Sequence, residues 1–299
     1  GNGLLLSDGD VWKVHRRLLT PTFHFDALKQ FTHVYNKAAE QMIEKLMEFA
    51  ESSESFEMFQ HASLCTMEVI LQCAFSAGGI HDLSVSPPCL VNICCNNKKT
   101  VFAFFYSNPI YSFFTSIYNL SAGGREFKRL CDFVHDTADS IIKTRRQQLD
   151  SHNEVVEPKK RLDFIDILLT ARDEDGRGLT DVEIRQEVDT FLFAGHDTTA
   201  SALSWTLYSL AQHPHHQDKV REEVYHLLSG RDDDTIQWND LSKLPYLTMC
   251  LKEAMRLHSP VPHISRATKE KCVIEGVNIP KDTYMGISIY GLHHNPTVW

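Results

Sequence analysis

The chain has 299 residues, of which 42% are hydrophobic and 23% are charged, with 14 Gly and 11 Pro. These proportions exclude a collagen, a coiled-coil rod and a disordered chain, and the length suits one large domain or two. With 30 basic and 39 acidic residues the net charge is −9, so a protein that chiefly binds nucleic-acid phosphate is excluded as well.

The eight cysteines show neither a C-x-x-C motif nor a paired zinc-ligand spacing. In a chain of this length they are interpreted as small buried hydrophobic residues in a reducing compartment, rather than as a disulfide framework. The chain begins with Gly1-Asn2-Gly3 instead of a signal peptide and stops at Trp299, which predicts an internal piece of a longer protein.

Helical periodicity dominates the sequence up to Pro260. Apolar residues at spacings of three and four predict long amphipathic helices over 26–50 and 126–149. The polar stretch Asp150–Arg161 predicts an exposed loop, and Asp163–Arg172 predicts a short helix.

The segment Val101–Leu120 is rich in Phe and Tyr, but Ser107-Asn108-Pro109 interrupts it, which argues against a membrane-spanning helix. We interpret it as the wall of a pocket or a surface that dips into a bilayer interface, where aromatic side chains are stable. Core packing is an equal alternative.

Two further helices have clear start and stop signals. Thr180 and Glu183 form a capping box that opens a helix running to about Gln212. The next helix covers 215–229, and Gly230 ends it at the position where a left-handed residue is favoured.

The last part of the chain changes from helix to strand. A helix is predicted from Pro245 to near His258. Short, β-branched, alternating runs then predict a small antiparallel sheet with strands at Cys272–Ile274, Val277–Ile279 and Tyr284–Ile289.

The segment Val188–Leu210 is apolar around nearly its whole circumference, as expected of a helix through a large core. Its centre nevertheless reads Ala194-Gly195-His196-Asp197-Thr198-Thr199. Because a buried carboxylate costs several kcal/mol and an interior glycine about 1 kcal/mol, this pattern predicts that something lies flat against the helix here and that water reaches it. The Thr198 hydroxyl can bond back to the Ala194 carbonyl and open the helix locally; the alternative is a kink with a solvated polar patch.

Two shorter motifs place complementary groups on one helix face. Glu253 and Arg256 are three apart and can pair, although such spacing often marks only an exposed ion pair. Trp12 and Arg16 are four apart, so an indole N–H and a guanidinium lie side by side, which suits a carboxylate beside a flat apolar body. The alternative for the second motif is a basic surface helix with one buried Trp.

In this order the three motifs resemble the haem-thiolate monooxygenases of the cytochrome P450 superfamily, and the resemblance covers essentially the whole chain. Trp12-x-x-x-Arg16 is similar to helix C of that family, Ala194–Thr199 to its oxygen-binding helix I, and Glu253-x-x-Arg256 to its helix K. Tyr290–Pro296 resembles the stretch that leads towards the haem loop. The implied fold is mainly α with a small antiparallel β-sheet portion, formed by one partial catalytic domain over 1–299 that is incomplete at both ends.

The sequence around these motifs is similar to that of family 4, the fatty-acid ω-hydroxylase branch of the superfamily. The matching stretches are Phe191-Leu192-Phe193, Ser201–Trp205, Leu162–Asp166, Pro260-Val261-Pro262 and Ile264-Ser265-Arg266. The implied reaction inserts one oxygen atom of O2 into a C–H bond of a long-chain fatty acid or related lipid.

The resemblance implies a role for each matching residue. Asp197 and Thr198 would form the catalytic acid–alcohol pair that organises water and delivers protons to oxygen, a contribution of about 10²–10⁴-fold. The haem-binding residues would be Trp12, Arg16 and Arg266 at the propionates, and Ala194 and Gly195 against the distal face of the porphyrin. The substrate pocket would include Phe191, Leu192, Val261 and Ile264, while Glu253 and Arg256 would be structural.

The implied cofactor is haem b. Many members of the branch have a Glu that esterifies a haem methyl group, but Ala194 stands at that position, so the haem is expected to be held without a covalent link and a strict preference for the terminal carbon is in doubt. The cysteine thiolate that binds iron is expected in a glycine-flanked loop after Trp299, which leaves no metal ligand in this chain, and a membrane anchor is expected before Gly1.

The resemblance also implies partners and a location. Electrons would come from NADPH through NADPH–cytochrome P450 reductase, with cytochrome b5 as a further partner, and Lys13 and Arg17 would offer positive charge to an acidic donor. The protein would lie at the endoplasmic reticulum membrane with its catalytic domain in the cytosol, which leaves the Asn119 glycosylation sequon unused.

Two other interpretations remain open. The first is a truncated, catalytically incomplete helical protein that binds lipids or partners, and it rests on the missing cysteine loop. The second is a metal site built from His215-His216 and His293-His294, but adjacent spacing favours solvated surface histidines.

Overall fold

The computed structural model describes residues 3–52, 54–76, 120–151, 163–172 and 176–299. All of the aromatic segment Val101–Leu120 except its last residue lies outside this part of the chain, and so does most of the loop predicted at Asp150–Arg161. The chain forms two compact units, Gly1–Asp197 and Thr198–Trp299, which divide within one long helix. A single catalytic domain stays a prediction.

Every regular element that the structure describes in the first unit is helical. These elements are α1 (Gly9–Leu19), α2 (Phe25–Leu28), α3 (Thr32–Ser52), α4 (Met58–Phe75), α5 (Ala122–Ser151), α6 (Phe164–Thr170), the first part of α7 (Asp181–Gln212), and 3-10 turns at Thr20–Phe23 and Lys29–Phe31. The helix predicted over 126–149 is confirmed and is longer at both ends. The single helix predicted over 26–50 is wrong, because a 3-10 turn separates α2 from α3 without a Gly or Pro that could signal the break.

The core of the first unit lies between α1, α4, α5, α6 and α7. Its buried residues are Leu19, Met67, Leu71, Ala74, Phe75, Ala138, Ile141, Ile142, Phe164, Ile165, Leu168, Ile184, Val188 and Leu192. On α4 they recur at a spacing of three or four residues, which gives the helix one apolar face. Since burying each large side chain contributes about 1.5–3 kcal/mol, this core fixes α4 and α7 in place.

The second unit combines helices with two small sheets. Its elements are the rest of α7, α8 (Pro214–Leu228), a 3-10 helix (Trp238–Lys243), α9 (Pro245–Leu257), β1 (His263–Ala267), β2 (Cys272–Ile274), β3 (Val277–Ile279), β4 (Tyr284–Ser288) and α10 (Ile289–His293). β1 pairs with β4, and β2 pairs with β3, both antiparallel. The mainly α class with a small antiparallel β portion is therefore confirmed.

The predicted three-stranded sheet needs correction. The described strands form two separate pairs, and the prediction missed β1, which has one large apolar residue, Ile264, opposite Ile287. Ile289 was assigned to the last strand but begins α10, where the Ser288 side chain accepts a hydrogen bond from the Gly291 amide at 3.0 Å.

Local signals predicted the ends of α7 and α8 correctly. Thr180 and Glu183 cap α7 reciprocally, with hydrogen bonds of 2.8 Å and 3.3 Å, and Gly230 follows α8 with φ of +79°. The expectation that 188–210 is buried on all sides is wrong for its second half. Trp205 and Tyr208 are 41% and 52% exposed, although the Trp205 ring stacks on the His258 ring with centres 4.1 Å apart.

The described cysteines are partly rather than fully buried, and those five are free thiols. Within the described ranges, no helix is both long and apolar enough to cross a membrane.

Candidate functional site

A buried ion pair joins α1 to α7. His15 and Glu187 are 3% and 0% exposed, and the His15 Nδ1 lies 2.8 Å from the Glu187 carboxylate. The other carboxylate oxygen accepts a hydrogen bond from the Leu4 amide at 3.1 Å, and Glu183 lies 3.9 Å from His15 Nε2. The hydrogen bond to Glu187 raises the pKa of His15 against the opposing effect of burial. The pair therefore ties the two helices together by a charged contact inside the unit.

The hydrogen-bond donors Trp12 and Arg16 lie on α1 beside the residue that forms this ion pair, His15. Trp12 is 43% exposed and Arg16 is also exposed, one turn apart as predicted. Within the described chain, neither the Trp12 indole N–H nor the Arg16 guanidinium donates a hydrogen bond, whereas the neighbouring Lys13 ammonium pairs with Asp10 at 3.3 Å. The surface alternative for this motif is thus half right, since the helix face is basic but the tryptophan is not buried.

The centre of α7 is held by α4. A Cβ at Gly195 would lie 2.7 Å from two carbon atoms of Ile70, so glycine is required where the two helices touch. The next residue, His196, is fully buried, and its carbonyl accepts a hydrogen bond from the Thr66 hydroxyl at 2.8 Å. The close approach at Gly195 is therefore to a helix, and the prediction that it faces a macrocycle stays a prediction.

The predicted acid–alcohol pair lies directly after His196 on α7. Asp197 and Thr198 are both half-buried, and Ala194 is half-buried one turn before Thr198. A carboxyl and a hydroxyl on consecutive residues of a helix can exchange protons with water that reaches them. Because both side chains are half-buried, water can reach the carboxyl and the hydroxyl, as a role in proton transfer would require.

The described residues fit the propionate side of a haem, and the position of its iron ligand stays a prediction. Two donors with no partner in the described chain, an indole and a guanidinium one turn apart, match carboxylate groups. Burial raises the pKa of the Cys73 thiol to about 12 and also raises the pKa of Cys65, which is the reverse of what a thiolate ligand needs. No group of three possible metal ligands occurs among the described residues.

The Glu253–Arg256 pair forms on α9 as predicted. Its two hydrogen bonds measure 2.8 Å and 2.6 Å, and a third runs from the guanidinium to the His293 carbonyl at 2.6 Å. The guanidinium also lies 4.9 Å from the centre of the Trp299 ring. Because Arg256 joins α9 to the end of α10, the pair is more than an exposed surface contact.

The N-terminus of α9 is capped by Glu223, a residue of the preceding helix α8. Its carboxylate accepts hydrogen bonds from the Tyr246 and Leu247 amides at 2.8 Å and 2.9 Å, while the residue at the N-cap, Leu244, has no side chain that could do so. This contact satisfies two amides at the N-terminus of α9 and adds a negative charge at the positive end of the helix.

We expect Glu223→Ala to lower the free energy of unfolding by about 0.5–2 kcal/mol, since the loss resembles removal of a local cap. Glu222→Ala is the matched control, because Glu222 is exposed on the same helix. Urea unfolding followed by circular dichroism measures both, and equal stability of the two variants would show that the cap contributes nothing.

The predicted pocket residues fall into two groups. In the first unit, Leu192 is 5% exposed within the core, and Phe191 packs on Phe164 and Phe23 with ring centres 4.3 Å and 5.4 Å apart. In the second unit, Val261 is 45% exposed and Ile264 is half-buried on β1. Arg266, on the same strand, is exposed and donates to the Ser265 carbonyl at 2.8 Å.

Sequence reasoning missed four residues that position the site: Glu187, Thr66, Ile70 and Glu223. Their contacts join residues far apart in the chain, by 172 positions for His15–Glu187 and 130 for Thr66–His196. The one local signal was a glutamate at position 187 within a largely apolar helix.

The sequence was compared with protein-family models and with known proteins. A family model described as Cytochrome P450 matches residues 1–299. The chain is 43% identical to cytochrome P450 4F6 of Rattus norvegicus, over 100% of this chain and 56% of that protein. It is 45% identical to cytochrome P450 4F12 of Homo sapiens and 43% identical to leukotriene-B4 omega-hydroxylase 3 of Mus musculus, in each case over 100% of this chain and 58% of the relative. The chain thus spans a little over half the length of these relatives.

A solved structure has the same fold. The crystal structure of a cytochrome P450 (CYP102L1) matches with a TM-score of 0.79 at 24% identity, covering 98% of this chain and 64% of that one.

Proposed function

The chain belongs to the cytochrome P450 family, and from that premise we propose that it forms the larger part of the catalytic domain of a haem monooxygenase that hydroxylates long-chain fatty acids or related lipids. The observation that carries the proposal is the centre of α7, where a close helix contact at Gly195 is followed two residues later by the half-buried Asp197 and Thr198. The name of the mouse relative, leukotriene-B4 omega-hydroxylase 3, supports a lipid substrate.

Haem, when bound, supplies the redox chemistry that activates oxygen. The chain's own residues do the rest. Trp12 and Arg16 bind the propionates, with Arg266 as a further donor, and Ala194 offers no carboxylate for a covalent link. Asp197 exchanges protons with water, and the Thr198 hydroxyl holds the proton at the place where the reacting oxygen needs it. Glu253 and Arg256 hold the end of α9.

We expect Arg16→Gln in the full-length protein to speed the loss of haem to excess apomyoglobin by about tenfold, because a charge-assisted hydrogen bond contributes about 1.5–3 kcal/mol. Lys13→Gln is the matched control, since it removes the same charge from α1 but its ammonium pairs with Asp10. Equal rates for the two variants would contradict the propionate role.

The substrate class is tested by titrating the full-length protein with saturated and unsaturated fatty acids and leukotriene B4, following the haem spin state. We propose that Phe191, Leu192, Val261 and Ile264 line the pocket. Micromolar binding of acyl chains followed by a hydroxylated product supports the assignment. Binding without product, with NADPH and reductase present, would favour the non-enzymatic lipid-binding alternative.

Electron supply and location complete the proposal. We propose that NADPH–cytochrome P450 reductase, with cytochrome b5 as a further donor, docks on the basic face of α1, where Lys13 and Arg17 are exposed. A microsomal location facing the cytosol follows from the same family relationship.

A further inference from the structure

The contact between α4 and α7 differs from the other threonine contacts inside helices. Buried Thr137 and Thr206 each donate a hydrogen bond to the carbonyl four residues earlier in the same helix, at 2.9 Å and 2.7 Å. Thr66 donates instead to another helix, to the His196 carbonyl at 2.8 Å, and its bond within α4 is longer, at 3.3 Å. A backbone carbonyl has two lone pairs, so the His196 oxygen can accept this bond beside the backbone bond of its own helix, and the contact ties α7 to α4.

A second contact fixes the adjacent residue. Ile70 lies one turn after Thr66 on the same face of α4, and its side chain fills the space that a Cβ at Gly195 would need. Ala62 and Ser63 are fully buried on the preceding turn, and their small size allows a close approach of α4. α7 is therefore held at two consecutive residues, Gly195 and His196, immediately before Asp197.

We propose that Thr66 and Ile70 are positioning residues that set the depth and rotation of the α7 turn carrying Asp197, and so determine how well protons reach the reacting oxygen. The inference rests on the proposed function for its consequence in catalysis, and on the two contacts for its structural part. The hydroxyl of Thr66 fixes the position along the helix axis, and the Ile70 side chain, seated against a residue without a Cβ, fixes the rotation.

The test compares Thr66→Val, which removes the hydroxyl at nearly constant volume, with Thr66→Ser, which keeps it, in the full-length protein. Thr137→Val is the matched control, because that buried hydroxyl serves its own helix. We expect Thr66→Val to quicken amide exchange in the α7 peptide around 194–200 by about fivefold, the factor for one net hydrogen bond. Thr66→Ser and Thr137→Val should leave that peptide unchanged.

The second measurement is product formed per NADPH consumed. Thr66→Val should lower this ratio and raise hydrogen peroxide, with recovery in Thr66→Ser, while haem content stays normal. Normal exchange and normal coupling in Thr66→Val would overturn the proposal. Faster exchange with no lipid product even in the wild type would support the positioning contact and count against the proposed function instead. If Thr66→Val does not fold, Ile70→Val gives the same test: faster α7 exchange supports the proposal, and unchanged exchange overturns it.

Discussion

In the full-length protein, Thr198→Ala is expected to keep haem bound and to lower the rate of lipid hydroxylation by about 10²-fold, the lower end of what a positioned proton donor contributes. NADPH consumption should continue. Its two electrons, with one proton from NADPH and one from solvent, then reduce O2 to hydrogen peroxide, because the methyl group cannot hold a proton where oxygen is cleaved. Measuring product, peroxide and NADPH in the same reaction shows how the electrons divide between hydroxylation and peroxide formation.

The matched control is Thr206→Ala on the same helix. Its hydroxyl donates to the Ala202 carbonyl at 2.7 Å and serves the helix alone. We expect this variant to couple NADPH to product as the wild type does. Unchanged coupling in Thr198→Ala would remove the proton-delivery role and leave the half-buried hydroxyl as a structural feature of the helix.

Asp197→Asn separates the two members of the pair. The amide cannot act as an acid or a base near neutral pH, so both NADPH consumption and product should fall together. A variant that behaves like Thr198→Ala instead would show that the hydroxyl and the carboxyl act at the same step.

Local chemistry made several elements predictable from the sequence. The Thr180–Glu183 capping box and Gly230 each specify a helix end through residues within one turn, so one sequence suffices to find them. The motif at Ala194–Thr199 was conspicuous for a similar reason, since small and polar residues conflict with the apolar helix around them.

The supports of the site were not predictable in this way. Glu187 reads as one more acidic residue on a helix until the fold places His15 beside it, and Thr66 gives no sign that its hydroxyl serves another helix. β1 was missed because a strand with one large apolar residue depends on its partner strand for stability. Long-range pairing decided each of these features.

The largest effect on stability is expected from Glu187→Ala. Removing one partner of a buried ion pair costs about 3–5 kcal/mol, and here it leaves His15 with Glu183 as its remaining acidic neighbour, at 3.9 Å. The variant also removes the acceptor of the Leu4 amide, so the start of the chain and α1 should both loosen. Chemical unfolding followed by circular dichroism measures the loss, and a decrease below about 1 kcal/mol would contradict a strong pair.

The contribution of this pair to the free energy of unfolding is expected to depend on pH. The folded-state pKa of His15 is raised above its ordinary value, chiefly by the hydrogen bond to Glu187, so protonated His15 stabilises the fold fully below about pH 6.5, and that contribution is lost as pH rises through the raised pKa. His15→Gln should therefore differ most from the wild type at about pH 6 and least at alkaline pH. Because Glu183 also faces the imidazole at 3.9 Å, Glu187→Gln should reduce this pH dependence without abolishing it. A stability difference between His15→Gln and wild type that is the same at every pH would mean that His15 is neutral in the folded protein.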